Sequence, residues 1–163
     1  MKSIILVEGP DCSGKSTLVD RLKNTIHWDS LSLHHRDGDQ FSRYLQVYSS
    51  HNHVVFNRGH VSEAVYGRLW REGNPFTKEE WNVLNDVCNL RMLVIVSFPS
   101  IETMRLRYQE RKYSQQLSFD ELDASRNLFE HYTDRVSFVP LWYHSESFNE
   151  LEELVKKVKD IVA

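Results

Sequence analysis

The chain has 163 residues, and its 20 Lys and Arg against 23 Asp and Glu give a formal net charge of −3. Proteins dedicated to nucleic acid usually carry a basic excess, so this balance argues against a nucleic-acid partner. Hydrophobic residues make up 40% and aromatic residues 12%, which argues against disorder. Two cysteines are too few for a disulfide scaffold, and we expect a cytoplasmic, reducing compartment.

We expect no targeting or membrane segment in this chain. The apolar run at residues 4–7 ends at Glu8, well short of the ~7–15 residues of a secretory core. No run approaches the ~18 residues of a membrane helix, so we expect no membrane partner. Repeats and flexible linkers are also missing, and we predict a single domain over residues 1–163.

Short apolar runs alternate with longer helical patterns along the chain. Strands are predicted at 4–7, 31–34, 54–56, 92–98 and 136–142, and helices at 15–26, 39–49, 61–71, 77–90, 101–111, 118–132 and 147–162. The helices at 77, 118 and 147 open with Thr-x-x-Glu or Ser-x-x-Glu capping boxes. This alternation is typical of βαβ units. We therefore predict an α/β, three-layer fold: a five-stranded parallel sheet with helices on both faces and ligands beyond the carboxyl ends of the strands.

The loop after the first strand carries the clearest motif. Residues 9–16 read G-P-D-C-S-G-K-S, which fits G-x-x-x-x-G-K-[ST] between a strand and a helix. Glycines allow backbone N–H groups to point at phosphate oxygens, and the helix N-terminus adds positive charge. Lys15 is expected to contact the β- and γ-phosphates, and Ser16 to contact Mg²⁺. The predicted ATP-binding residues are Gly9, Asp11, Cys12, Ser13, Gly14, Lys15, Ser16 and Thr17. A helix N-terminus can lower the pKa of a thiol such as Cys12.

The rest of the sequence narrows the class of phosphate-loop protein. A GTPase would need Asn-Lys-x-Asp and Asp-x-x-Gly motifs, and neither occurs outside the phosphate loop. A motor or transporter ATPase would have an apolar strand ending in Asp, whereas the predicted strands here end in Phe56-Asn57 and Ser97-Phe98. A small-molecule kinase remains.

Two segments resemble one kinase family. Residues 8–17, E-G-P-D-C-S-G-K-S-T, resemble the E-G-x-D-x-x-G-K-[ST]-T of thymidylate kinases. Residues 57–66, N-R-G-H-V-S-E-A-V-Y, are similar to that family's D-R-[YFWH]-x-x-S-x-x-A-Y. The chain most resembles compact, phage-type deoxynucleoside monophosphate kinases. The resemblance implies a P-loop kinase fold and a reaction in which the γ-phosphoryl of ATP, with Mg²⁺, is transferred to a pyrimidine dNMP (dTMP, dUMP or a modified pyrimidine). It also implies a homodimer. If the source is viral, the protein is expected in the host cytoplasm.

The resemblance also implies roles for individual residues. Asp11 matches a carboxylate that holds the sugar 3′-hydroxyl and organises Mg²⁺, and Arg58 matches an arginine that grips the acceptor phosphate. Tyr66 matches a tyrosine that crowds the sugar 2′ position. The implied substrate-binding residues are Asp11, Arg36, Arg58, Ser62, Glu63 and Tyr66. The expected metal residues are Ser16 and Asp11, with Glu8 and Asn57 as further candidates through water.

A basic segment follows the fourth predicted strand. Arg107 and Arg111 are four residues apart on one helix face, where like charges are unfavourable by ~0.2–0.5 kcal/mol unless an anion lies between them. Their position matches the family's lid, about 105–117, whose arginines close on the transferring phosphoryl group. The predicted catalytic residues are Lys15, Arg58, Arg107 and Arg111.

Departures from the family pattern leave alternatives open. Asn57 stands where the family has Asp, and the F-x-x-x-R that reads thymine is not visible, so the base is not fixed. A deoxynucleoside kinase, with Glu8 as base toward a 5′-hydroxyl, is the second interpretation. A non-catalytic nucleotide-binding module is the third. The eight histidines lack Cys or Glu partners at metal spacing, so we interpret them as surface or core residues.

Overall fold

The computed structural model describes residues 2–111 and 117–163, and within these ranges it contains five strands and seven helices. The strands are β1 Ile4–Glu8, β2 Asp29–Ser32, β3 Val54–Asn57, β4 Met92–Ser97 and β5 Leu141–Tyr143. The helices are α1 Lys15–Ile26, α2 Gln40–Ser50, α3 His60–Trp70, α4 Lys78–Arg91, α5 Ile101–Glu110, α6 Phe119–Thr133 and α7 Phe148–Val162. No helix in the described ranges is long and apolar enough to cross a membrane.

The five strands form one parallel sheet in the order β2-β3-β1-β4-β5. The central strand β1 has β3 on one side and β4 on the other, so the chain reverses its direction of winding there. In open α/β sheets a crevice forms at such a point, outside the carboxyl ends of the strands. The predicted five-stranded parallel sheet is confirmed, and its switch point coincides with the phosphate loop.

Helices cover both faces of the sheet, as predicted. Because side chains alternate along a strand, Ile4 and Leu6 face one cluster of buried residues, with α2, α3, α4 and α6. Ile5 and Val7 face a second cluster, with α1 and α7. All five residues of β1 are buried, which explains the apolar run at residues 4–7, whereas the buried Glu8 needs hydrogen-bond partners.

The two edge strands differ from the predictions. β2 covers Asp29–Ser32 rather than 31–34, and all four of its residues are exposed, so its polar sequence lacks the apolar signal of a buried strand. β5 covers only Leu141–Tyr143, whereas a strand was predicted at 136–142. Pro140 has no N–H for the ladder, and the strand begins directly after it.

Two of the three predicted capping boxes are confirmed. Those at Thr77 and Ser118 are complete. At the start of α7, Ser147 accepts from the N–H of Glu150, but the Glu150 carboxylate turns to the N–H groups of His144 and Glu146. It thereby fixes the turn between β5 and α7. Residues 112–116 of the predicted lid lie outside the described residues.

A glutamate from β1 caps the start of α3. Glu8 is fully buried, and its Oε1 accepts the N–H groups of Val61 at 3.1 Å and Ser62 at 3.3 Å. Its Oε2 accepts the Ser62 hydroxyl. The first N–H groups of a helix need such acceptors, and Gly59 at the N-cap has no side chain to supply one. Burial raises the pKa of Glu8 to about 7, against the opposing effect of its Ser62 hydrogen bonds.

We predict that Glu8→Ala lowers the free energy of unfolding by about 3 kcal/mol, because several buried donors lose their acceptor. Glu8→Gln keeps one acceptor oxygen and should lose clearly less. Urea denaturation of the two variants and the wild type measures both values. An alanine variant within 0.5 kcal/mol of the wild type would contradict this capping role.

Candidate active site

Two cavities open at the carboxyl ends of the strands. The larger, of about 890 Å³, follows the phosphate loop from Asn57 to Phe148 at the start of α7. The smaller, of about 210 Å³, lies between α3 and the residues after β2. Both are lined by Asp11, His34 and Arg58, so these residues mark the junction. We call the larger cavity the donor cavity and the smaller one the acceptor cavity, after the phosphoryl donor and acceptor that the sequence predicts.

Close backbone approaches shape the phosphate loop. Gly9 has φ 145°, and a Cβ there would lie 2.2 Å from the Ser97 carbonyl oxygen, so only glycine fits. Gly14 has φ 88°, and a Cβ would lie 2.5 Å from Ser145 Oγ. The Ser97 hydroxyl donates to the Ser13 carbonyl at 2.6 Å. The ends of β1 and β4 therefore support the loop from below.

Lys15 lies inside the loop. Its side chain is buried, and Nζ donates to the Pro10 carbonyl at 2.5 Å and contacts Ser13 Oγ at 3.5 Å. Burial, together with the positive charge of Arg58, lowers the pKa of Lys15 to about 7. Ser16 and Thr17 line the donor cavity beside it. Lys15 is therefore only partly charged near neutral pH, and a bound anion such as phosphate would restore its full positive charge.

Cys12 departs from the expectation for its thiol. The side chain is buried in a small apolar cluster with Met104, Leu117 and Leu122, which joins the loop to α5 and α6. Burial raises the pKa of Cys12 rather than lowering it. The residue also has φ 62°, a left-handed conformation that L residues seldom adopt. Cys12 therefore packs the loop against α5 and α6 as a neutral thiol.

Arg58 pairs with Asp11 where the two cavities meet. Its Nη2 lies 2.6 Å from Asp11 Oδ1, and its backbone N–H donates to the Val7 carbonyl at 2.9 Å. Burial opposes ionisation of Asp11, but the charges of Lys15 and Arg58 outweigh it and lower the pKa of that carboxyl. The charged forms of both partners are thus favoured at neutral pH.

The two arginines of the predicted lid, Arg107 and Arg111, occupy different positions. Arg107 donates through Nη1 to the Cys12 carbonyl at 3.2 Å and through Nη2 to the Ser145 carbonyl. It therefore ties the phosphate loop to the turn between β5 and α7. Arg111 follows the end of α5 and is exposed on the wall of the donor cavity. Both line the cavity, but Arg107 is engaged by protein carbonyls.

An acid sits deep in the acceptor cavity. Glu63 is 4% exposed and accepts from three side chains: Arg71 at 2.7 Å, His35 at 2.6 Å and the Tyr44 hydroxyl at 3.2 Å. Sequence reasoning missed Arg71 and His35. The spacing of Glu63 and Arg71, eight residues or about two helical turns, was the available signal. His35 belongs to a loop whose path only the tertiary structure fixes.

Tyr66 lies between Arg58 and Trp70. The Arg58 Cζ atom is 5.1 Å from the centre of the Tyr66 ring, and the Trp70 ring stacks on Tyr66 at 5.0 Å and 25°. The Tyr66 hydroxyl accepts the backbone N–H of Asp11 at 3.1 Å. The residue lines the acceptor cavity, as do Ser62 and Trp70.

Three predicted residues, Gly9, Arg36 and Glu8, line neither cavity. Arg36 is exposed and lines neither of them, while His34 and His35 beside it do. Glu8 also lines neither, because its carboxylate is held under α3. Ser62 reaches the acceptor cavity, but its hydroxyl donates to Glu8.

The oxygen atoms along the donor cavity suit Mg²⁺ brought by a nucleotide. Asn57 Oδ1 is buried without a hydrogen-bond partner among the described residues, and Asn57 and Ser16 line the same cavity. Mg²⁺ prefers oxygen ligands and keeps several waters, so an amide oxygen and a hydroxyl fit it. The described ranges contain no group of three His, Cys, Asp or Glu side chains that could hold a metal.

Comparisons with known proteins agree with this architecture. No protein-family model matches the chain. The SPbeta prophage-derived uncharacterized protein YorR of Bacillus subtilis (strain 168) is 21% identical over 127 residues, which are 74% of this chain and 77% of that protein. The crystal structure of Bacillus subtilis YorR in complex with phosphorylated GDP has a TM-score of 0.82 and 17% identity, and the match covers 98% of this chain and 95% of that one.

Deoxyadenosine kinase from M. mycoides is also similar. Its structure with bound dATP has a TM-score of 0.65 and 17% identity, covering 97% of this chain and 99% of that one. Its structure with the products dCMP and dCDP has a TM-score of 0.66 and 14% identity, with the same coverage. At these identities the likeness is one of fold, and the chain has the α/β fold of P-loop nucleoside kinases.

Proposed function

We propose that the protein transfers the γ-phosphoryl group of ATP to the 5′-phosphate of a pyrimidine deoxynucleoside monophosphate, giving ADP and the dNDP. The observation that carries this proposal is the position of Arg58, which lines both cavities at their junction. A guanidinium binds phosphate through two parallel hydrogen bonds and offsets the repulsion between two anions. Such a group is what two phosphates need in order to approach each other.

The donor cavity supplies the parts for the transfer. The backbone of the phosphate loop and the N-terminus of α1 face the phosphates, and Lys15 contacts the β- and γ-phosphates. Ser16 and Asn57 would hold Mg²⁺, which would offset the negative charge of the nucleotide phosphates. An oxygen of the acceptor phosphate forms a bond to the γ-phosphorus. The bond from that phosphorus to the β–γ bridging oxygen breaks, and its electron pair leaves with ADP.

The carboxylates that line the cavities already bind protein groups, and this favours a phosphate over a 5′-hydroxyl as the acceptor. A hydroxyl must lose a proton to a base, whereas an ionised phosphate oxygen needs none. Among described residues, three carboxylates line the cavities: Asp11 with Arg58, Glu63 with three donors, and Glu146 with Ser100 N at 2.7 Å and Thr103 Oγ1 at 2.5 Å. Glu8, the base of the alternative, lies under α3. A deoxynucleoside kinase remains the second candidate, supported by the likeness to the M. mycoides enzyme.

The donors around Glu63 favour a base with carbonyl groups. Three protein donors already occupy this carboxylate, so it has little capacity to accept from an amino group of the base. Arg71 lines the same cavity, and its guanidinium keeps further N–H groups that suit a carbonyl oxygen. Thymine and uracil have such oxygens where cytosine has an amino group. Guanine is the second candidate, since YorR is seen with phosphorylated GDP.

An acceptor panel tests the proposal. ADP release from ATP and Mg²⁺ is followed with dTMP, dUMP, dGMP, dCMP, thymidine or no acceptor. We predict release with dTMP or dUMP, at least about tenfold less with dCMP, and none above background with thymidine, because each carboxylate among the described residues that line the cavities is already engaged. Lys15→Met is the matched control and should lose on the order of 10³-fold in rate. Release with thymidine but not with dTMP would overturn the proposal and favour the deoxynucleoside kinase.

The pKa of Lys15 predicts a pH dependence of ATP binding. Because burial lowers this pKa to about 7, Lys15 is mostly neutral above that pH in the free protein and takes up a proton when it binds phosphate. ATP affinity should therefore fall by up to about tenfold per pH unit above 7. Calorimetric titrations between pH 6 and 9 measure this slope. Lys15→Arg stays charged throughout and is the control, so equal slopes in the two proteins would contradict the account.

A further inference from the structure

We propose that the Tyr66 hydroxyl is a positioning group that holds the phosphate loop at a fixed distance from Arg58. This inference rests on the proposed phosphoryl transfer and adds a second role for Tyr66, beside the one expected for its ring at the sugar. The hydroxyl would touch neither substrate. It would act through the backbone of Asp11 and so set how closely the donor and acceptor phosphates approach.

Three contacts form a closed triangle. The Asp11 N–H donates to the Tyr66 hydroxyl at 3.1 Å, and the Asp11 carboxylate pairs with Arg58 at 2.6 Å. The Arg58 guanidinium lies over the Tyr66 ring, with Cζ 5.1 Å from its centre. The corners belong to the phosphate loop, the end of β3 and the helix α3. Each pair of segments is thus joined directly, which fixes their relative positions.

The hydrogen bond to Tyr66 occupies the backbone N–H of Asp11, so this amide of the phosphate loop is not available to a phosphate. Amides of a phosphate loop generally point at phosphate oxygens, but the amide of Asp11 is directed to Tyr66 instead. Asp11 and Tyr66 are 9% and 5% exposed, so water has little access to replace the hydroxyl. A buried N–H without an acceptor is unfavourable. The next residue, Cys12, has φ 62°, and a fixed neighbour helps to hold that strained backbone.

The Tyr66 ring is itself held from two sides. Trp70 stacks on it at 5.0 Å, and Phe129 of α6 meets it edge-on at 6.1 Å. The hydroxyl therefore projects from a ring that α3 and α6 position. Displacements near 1 Å are enough to slow an in-line transfer by up to about 10²-fold. A hydroxyl that fixes the position of the phosphate loop would therefore increase the rate of phosphoryl transfer.

Tyr66→Phe tests the inference because it removes the hydroxyl and keeps the ring. We expect kcat to fall on the order of tenfold or more, with the KM values for ATP and dNMP within about twofold of the wild type. The preference for dNMP over the ribonucleotide should not change, because the ring remains. Tyr132→Phe, on α6 and away from both cavities, is the matched control and should keep the wild-type kcat.

Three kinetic outcomes would overturn the inference. A wild-type kcat in Tyr66→Phe would show that the hydroxyl has no positioning role. A raised KM for dNMP at unchanged kcat, or an altered preference for the deoxyribose form, would place the hydroxyl against the substrate. If the wild type uses a nucleoside instead of a dNMP, the proposed function fails, and the same comparison is made with that acceptor.

Amide hydrogen exchange of Asp11 gives a readout independent of activity. In the wild type without nucleotide, this N–H should be protected, and Tyr66→Phe should raise its exchange rate at least about tenfold while leaving the amides of β4 unchanged. Fast exchange of the Asp11 amide in the wild type would overturn the inference without any variant and would leave the proposed function untouched.

Discussion

The site depends on one ion pair, between Arg58 at the end of β3 and Asp11 in the phosphate loop. Their 2.6 Å contact lies where the two cavities meet, and both partners are largely removed from water. The backbone of Arg58 is anchored as well, through its N–H to the Val7 carbonyl of β1. A partly buried guanidinium needs partners, and here they are the Asp11 carboxylate and the Tyr66 ring. Arg58 is therefore held in place before any phosphate binds.

The surrounding charges follow from the parallel sheet. The carboxyl ends of β1 and β3 lie side by side, so Glu8 and Arg58 come into the same small volume as Lys15. Glu8, Arg58 and Lys15 have different functions because each contacts a different part of the protein. Glu8 is turned under α3 and fixes that helix, which in turn carries Glu63, Tyr66 and the acceptor cavity. Lys15 is turned into the phosphate loop. One strand end thus organises both halves of the site.

The local motifs could be predicted from the sequence, and the contacts between distant segments could not. The phosphate loop and Arg58 have signatures within ten residues, and the buried strands are clear apolar runs. β2 has no such signal, because its residues are polar and exposed at an edge. The closing of Arg107 on a phosphoryl group stays a prediction, but its side chain also donates to two backbone carbonyls, in the phosphate loop and in the β5–α7 turn. Those partners are 95 and 38 residues away, and only the folded chain reveals them.

The central claim is that Arg58 permits two phosphate groups to bind side by side. The most direct test measures dTMP affinity with and without a saturating non-hydrolysable ATP analogue, in the wild type, in Arg58→Ala, and in Arg68→Ala as an exposed arginine of α3. The account predicts that the analogue changes dTMP affinity by less than about twofold in the wild type and in Arg68→Ala. In Arg58→Ala it should weaken dTMP binding by roughly tenfold, because the two anions then repel without a cation between them. The same small effect of the analogue in all three proteins would contradict the account.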